Sequence, residues 1–201
     1  MRIIAGRYRG MALSAVGKGD TNAHLRPTTD RVRESLFNVL AGGKFGDPIT
    51  DARVVDLFAG TGALGLEALS RGASHVTFVE SGRKALSLIR ENIAKLGVRD
   101  ETRVVATDAT KSGNLGDEGP FQLVFLDPPY GKHMGQKALA HLREAGMLGP
   151  EALIVWEESA PQDPPEGYEL LETRKYGSTH VTFLRARNLA SSSFSDTLNA
   201  W

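Results

Sequence analysis

The feature that most limits how this chain folds is the run Val54-Val55-Asp56-Leu57-Phe58-Ala59-Gly60-Thr61-Gly62-Ala63-Leu64-Gly65-Leu66-Glu67-Ala68. An apolar stretch suited to a buried strand gives way to glycines at 60, 62 and 65, then to a helix-forming segment through Leu69. The order is strand, tight turn, helix. Glycine lacks a Cβ, so it takes left-handed angles and lets a ligand lie against the backbone. A helix starting near Ala63 aims its unpaired amides at that ligand, which makes the turn a candidate nucleotide cradle. The same glycines satisfy Gly-x-Gly-x-x-Gly, and Glu80 closes the next apolar run, His75 to Val79, where a ribose-binding carboxylate belongs. Packing alone also places glycines in such turns, so the loop by itself leaves both readings open.

A second stretch narrows them: Leu123-Val124-Phe125-Leu126-Asp127-Pro128-Pro129-Tyr130-Gly131. A buried apolar strand runs into two prolines, which fix the backbone and remove two amide donors. The strand must stop there, with a carboxylate, bare carbonyls and an aromatic ring at its carboxyl end. In an open α/β sheet that is the edge where ligands bind.

Together the two stretches resemble the S-adenosylmethionine-dependent amino-methyltransferases. In that superfamily Asp-Pro-Pro-Tyr, following an Asp-x-Phe-x-Gly-x-Gly loop, is the catalytic signature for methylating an exocyclic or amide nitrogen. The resemblance implies an α/β fold of the Rossmann-like class I methyltransferase type: a seven-stranded, mostly parallel sheet with helices on both faces. It assigns Asp127, Pro128, Pro129 and Tyr130 to catalysis. Asp56, Phe58 and the backbone of Gly60 and Gly62 would hold the methionine part of S-adenosyl-L-methionine, Glu80 its ribose hydroxyls, and Asp108 with Ala109 its adenine.

The chain of 201 residues suits one domain with a sizeable core. Lys+Arg and Asp+Glu are equal at 24 each, yet residues 1–45 carry eight basic residues against three acids, a net of +5 that leaves −5 for the remainder. A basic end on an acidic domain suits a polyanion-binding arm, although a solvated charged surface explains it as well. There is no cysteine, which excludes disulfides and thiol catalysis, and no metal site is expected. No run approaches the roughly 18 apolar residues of a membrane span, so a cytoplasmic protein without membrane attachment is expected.

Arg2–Ala5 and 11–16 are short β-like runs around Gly6-Arg7-Tyr8-Arg9-Gly10, which suggests a hairpin with a basic, aromatic tip. A helix follows Arg26-Pro27-Thr28-Thr29-Asp30, capped by Thr29 or Asp30, with Val32, Leu36, Val39 and Leu40 as its apolar stripe and Gly42-Gly43 as its stop. From Asp51 strands (near 53–58, 75–80, 103–107, 121–126 and 152–157) alternate with helices (near 62–71, 82–96 and 134–145), the pattern of a covered parallel sheet. In the second of these helices Ala85, Leu88, Ile89, Ile93 and Leu96 share a face. Tyr168–Lys175 and His180–Arg185 read as an antiparallel pair turning at Gly177-Ser178. The expected organisation is a basic extension over 1–45, a methyltransferase domain over 46–187 and a flexible, Ser-rich tail over 188–201.

The amino-terminal segment, Arg2 to Gly10 with Arg26-Pro27-Thr28-Thr29-Asp30-Arg31-Val32-Arg33-Glu34-Ser35-Leu36-Phe37-Asn38, is similar to the RsmD-type family, which methylates guanine N2 in small-subunit (16S) ribosomal RNA. The resemblance covers residues 1–187 and implies RNA contact by Arg7, Arg9, Arg26, Thr28, Arg31 and Arg33, on naked RNA or on an assembling or assembled 30S particle, by a monomer. The nearest rival is a DNA adenine or cytosine amino-methyltransferase, but no stretch is long enough for a separate target-reading domain. A nicotinamide dehydrogenase explains the loop and leaves Asp127 to Tyr130 without a task. A protein-glutamine methyltransferase typically has Asn in place of Asp127 and gains nothing from the arm, and a bare RNA-binding module does not need three acids at successive strand ends.

Overall fold

The computed structural model describes residues 1–15, 29–111 and 115–187. Its centre is a seven-stranded sheet in the order β3-β2-β1-β4-β5-β7-β6, built from β1 Arg53–Leu57, β2 His75–Glu80, β3 Thr102–Ala106, β4 Phe121–Leu126, β5 Leu148–Glu158, β6 Tyr168–Tyr176 and β7 Thr179–Ala186. The first five strands are parallel, and β7 pairs antiparallel with both β5 and β6. This is the sheet expected from the alternation of apolar runs with helical segments. The hairpin pair is also as expected, turning at Gly177 with φ +62°.

Strand residues divide alternately between two cores, as a sheet buried on both faces requires. Val54, Phe78, Phe125, Val155 and Phe183 face one side, with α1 (Asp30–Ala41), α2 (Ala63–Ser70) and α3 (Arg83–Leu96). Val55, Val79, Val124, Leu126, Ile154, Trp156 and Leu184 face the other, with α4 (Met134–Glu144). Helix α4 lies so close to the sheet that a Cβ on Gly135 would stand 2.4 Å from the Trp156 ring.

Thr29 caps α1, its hydroxyl oxygen accepting the Val32 amide at 3.3 Å, and Gly42 closes the helix. The buried stripe is rotated from the expected one, to Arg33, Leu36, Phe37 and Leu40, with Val32 and Val39 only half-buried. In α3 Leu86 and Asn92 join Ala85, Ile89, Ile93 and Leu96 on the buried face, Leu88 is half-buried, and Gly97 ends the helix at φ +70°.

The amino terminus forms a narrow loop with one antiparallel bridge, Arg2 to Ala12, instead of two strands. Four of its backbone donors go to α2: the Ile4 and Ala5 amides bond Glu67 at 2.8 and 3.0 Å, and the Arg7 and Tyr8 amides bond Ser70 at 2.9 and 3.0 Å. Ile3 and Leu13 enter the same core as α1, α2 and the sheet, so the segment is packed onto the central fold.

Candidate active site

The strand order reverses between β1 and β4, and a crevice opens at the carboxyl ends of strands flanking such a point. The register places Leu57 beside Leu126, so the glycine loop after β1 and the Asp-Pro-Pro-Tyr segment after β4 leave the sheet side by side. The Asp127 amide still reaches the Leu57 carbonyl at 3.5 Å. Strands β2 and β3 then add their own terminal acids along the same edge.

The glycine loop is held open by backbone conformations that side chains rarely take. Phe58, Gly60 and Gly62 all have positive φ, +58°, +58° and +77°. For Phe58, a bulky residue, this is strain, of a kind that tends to sit at ligand clamps. Gly62 caps α2, and Gly65 lets that helix meet β2: a Cβ there would stand 2.5 Å from Phe78 and 2.7 Å from Val76. Glu80 ties the loop to the next one, accepting the Gly60 amide at 2.9 Å and the Ser81 and Gly82 amides at 2.8 and 2.7 Å. The carboxylate is thereby fixed at the strand end, partly exposed.

Asp56 behaves differently from its expected direct role. It is 2% exposed, and its Oδ2 accepts the Gly65 amide at 2.9 Å. Burial, with some repulsion from Glu80, pushes its carboxyl up to about 8. It therefore acts on the loop from beneath, fixing the start of α2. Asp108 caps a short 3-10 turn, with Oδ1 accepting the Thr110 hydroxyl and amide at 2.7 and 2.9 Å. Those two bonds hold it below the usual carboxylate range, so it stays an anionic acceptor. Ala109 beside it is buried in the core of the α4 face.

At the other wall, Asp127 is half-buried, Pro128 buried and Tyr130 half-buried. The Tyr130 hydroxyl donates to Glu157 Oε1 at 3.1 Å and shares a second bond with Thr179 Oγ1 at 3.2 Å. Desolvation, reinforced by the Glu157 and Asp127 charges, pushes this phenol up to about 12, so it remains neutral. Glu158, 5% exposed, accepts the Gly131 amide at 3.0 Å and fixes the turn after the prolines. Sequence reasoning did not single out Glu157, Glu158 or Thr179. The two glutamates close the apolar run ending at Trp156, as Glu80 and Asp108 close theirs, and that pattern would have found them.

The expected RNA-contact residues divide. Arg9 and Arg31 are exposed and, with Arg2, line a groove of about 300 Å³ between the amino-terminal loop and α1, which Asp30 and Glu34 also border. Arg7 is exposed at the loop tip, ion-paired with Glu101 and lying 4.7 Å over the Tyr8 ring. Arg33 must be corrected. It is fully buried, bonded to the Arg2 carbonyl and to Asp30 at 3.0 Å, with Glu67 3.8 Å away, and it holds the amino-terminal loop to α1 and α2. A guanidinium on the core face of a helix cannot meet RNA. Arg26, Thr28 and the 188–201 tail lie outside the described residues. Two histidines follow the two walls of this half of the site: exposed His133 caps the start of α4, and His180 bonds the Ser159 carbonyl at 3.0 Å. Among the described residues no His, Asp and Glu cluster suits a metal ion.

A seven-stranded sheet of this order, with a glycine turn after β1, acids ending β2 and β3, and Asp-Pro-Pro-Tyr after β4, defines a Rossmann-like class I methyltransferase. Comparison with known proteins makes the family explicit. The model of the family described as Conserved hypothetical protein 95 matches residues 1–185. The ribosomal RNA small subunit methyltransferase D of Escherichia coli K12 is 40% identical over 166 residues, covering 82% of this chain and 78% of that protein. That of Haemophilus influenzae is 35% identical over 181 residues, covering 88% and 89%. Among solved structures, the yhhF protein of Escherichia coli superposes with a TM-score of 0.77 at 34% identity, over 93% of this chain and 98% of that one. The chain belongs to this family, the RsmD-type methyltransferases, and is a methyltransferase.

Proposed function

We propose that the protein transfers a methyl group from S-adenosyl-L-methionine to the exocyclic N2 of a guanine in small-subunit ribosomal RNA. The observation that supports this reading is the side-by-side exit of the glycine loop and Asp-Pro-Pro-Tyr from β1 and β4, which sets the glycine turn and the Asp127 carboxylate at one sheet edge. The names of the relatives supply the acceptor RNA.

The donor set fits the cofactor. The positive-φ turn through Phe58, Gly60 and Gly62 suits the methionine portion, Glu80 suits the ribose hydroxyls, and Asp108 suits the adenine amino group. Bound there, the cofactor supplies a sulfonium methyl that is already activated toward displacement. The acceptor nitrogen is the weak partner, because its lone pair is delocalised into the base. Asp127 and the Pro128 carbonyl each accept a hydrogen bond from the NH₂ group, which favours a pyramidal nitrogen with its lone pair on the methyl and stabilises the growing positive charge. Methyl transfer would displace the thioether, whose sulfur keeps the electron pair, and Asp127 or solvent would take the N–H proton that the amine releases. Tyr130 stacks on the base, worth about 1–3 kcal/mol. An exposed Arg9–Arg31 groove and the Arg7 tip suit phosphates, and a base inside a stack must be extruded or unpaired to reach the site.

Asp127→Ala tests the assignment. The variant is expected to bind S-adenosylmethionine as the wild type does by calorimetry and to lose transfer by two orders of magnitude or more, on the scale of an oxyanion-type contact (~10²–10³-fold). Undiminished turnover would remove Asp127 from the mechanism.

A further inference from the structure

Two carboxylates stand in the acceptor half of the site, and the amino-methyl chemistry uses one. Leu126 of β4 and Trp156 of β5 are register partners, so Asp127, just past the end of β4, and Glu157, still within β5, stand at the same level on adjacent strands. Both charges act on the Tyr130 hydroxyl, and Glu157 touches it directly at 3.1 Å. Glu157 itself is half-buried at the crevice edge, with Val181 of β7 opposite it.

A carboxylate only accepts hydrogen bonds, and it has about four lone-pair directions. The purine and pyrimidine edges that carry an amino group differ at the neighbouring ring atom. In guanine the N2 amine sits beside N1–H, a second donor. In adenine N6 sits beside the N1 lone pair, and in cytosine N4 sits beside the N3 lone pair. An edge with two adjacent donors matches two adjacent carboxylates, whereas a lone pair placed against the second one is repelled by it.

We propose that Glu157 is the guanine-selecting residue of the acceptor site, accepting N1–H while Asp127 holds the N2 amine. Tyr130 and Thr179 orient it: the phenol bonds Oε1 and in turn meets the Thr179 hydroxyl, so the ring that stacks on the base and the carboxylate that reads its edge are set together. Glu158 completes the support by fixing Gly131. The inference rests on the proposed guanine acceptor and adds how that base is distinguished from adenine and cytosine.

The test uses 2-aminopurine, which keeps the N2 amine and presents a lone pair at N1. Small-subunit RNA is ligated with either guanosine or 2-aminopurine at the accepting position, and transfer is measured with wild-type protein, Glu157→Gln and Tyr130→Phe. The wild type is expected to favour guanosine by about 100-fold or more, since a site built to bond a donor strongly rejects an analogue lacking it. Glu157→Gln, whose amide donates as well as accepts, is expected to lose about 10-fold or more on guanosine and to narrow that preference by at least as much. Tyr130→Phe, which keeps the ring and removes the hydroxyl that orients Glu157, is expected to slow both substrates and to narrow the ratio less than Glu157→Gln does. An unchanged ratio in Glu157→Gln, with both substrates slowed alike, would overturn the inference and reduce Glu157 to a support for Tyr130. Wild-type protein that forms no N2-methylguanine would instead overturn the guanine reading on which it rests.

Discussion

Tyr130 carries two functions on one side chain, a ring for stacking and a hydroxyl that Glu157 and Thr179 hold. The two separate by substitution. Tyr130→Phe keeps the ring and is expected to cost only a few-fold in kcat/KM, while Tyr130→Ala is expected to cost about 10- to 100-fold, the size of one base–aromatic stack. Equal losses would mean that the ring does not meet the base. Asp56 gives a prediction in pH. An unfolded aspartate titrates near 3.9, about four units below the folded value of about 8, so across that window the folded state holds the extra proton and this site's contribution to stability falls as pH rises. Asp56→Asn keeps a carbonyl for the Gly65 amide and removes the titration. Its Tm is expected to fall less than the wild type's between about pH 6 and about pH 8, and parallel curves would show that the buried carboxyl ionises normally. The acids Glu80, Asp108 and Asp127 were legible in the sequence because each follows an apolar run that ends at the sheet edge. Arg33 was not: its burial depends on Glu67, 34 positions away, and nothing in a string of arginines marks the one that turns inward.

At the scale of elements, Glu67 joins the amino-terminal loop, α1 and α2. Fully buried, it accepts the Ile4 and Ala5 amides and the Arg71 guanidinium at 2.8 Å, with Arg33 alongside. Glu67→Ala leaves two amides and a buried guanidinium without their acceptor, and is expected to cost about 3–5 kcal/mol in denaturant unfolding. A loss under about 1 kcal/mol would mean that Ile3 and Leu13 hold the loop by apolar contact alone. The expected hairpin became a loop with one bridge for the same reason, since donors that would have closed a ladder go to Glu67 and Ser70. Asn92 works similarly from α3, accepting the Ser14 amide at 2.6 Å and donating to the Thr61 carbonyl at 3.0 Å, so the loop is tied to the glycine turn as well. Such links between distant segments leave no periodic trace, whereas the strands and helices of the sheet do.

Across the whole molecule, the alternation of apolar runs with amphipathic segments made the parallel sheet legible, and Gly177-Ser178 marked the closing hairpin. Charge is divided just as plainly, with the +5 of residues 1–45 against −5 in the remainder. Reversing Arg9 and Arg31 to Glu is expected to weaken RNA binding about 10-fold or more at moderate salt, to flatten the salt dependence by about two phosphate contacts, and to spare S-adenosylmethionine affinity. Loss of both affinities together would make the groove structural. The most direct measurement of the central claim is transfer of labelled methyl from S-adenosylmethionine, with naked small-subunit RNA, assembled small subunits and duplex DNA offered in parallel and the product nucleosides identified. The account predicts N2-methylguanine confined to the ribosomal substrates. Methyladenine or methylcytosine in DNA, with no N2-methylguanine in RNA, would contradict it.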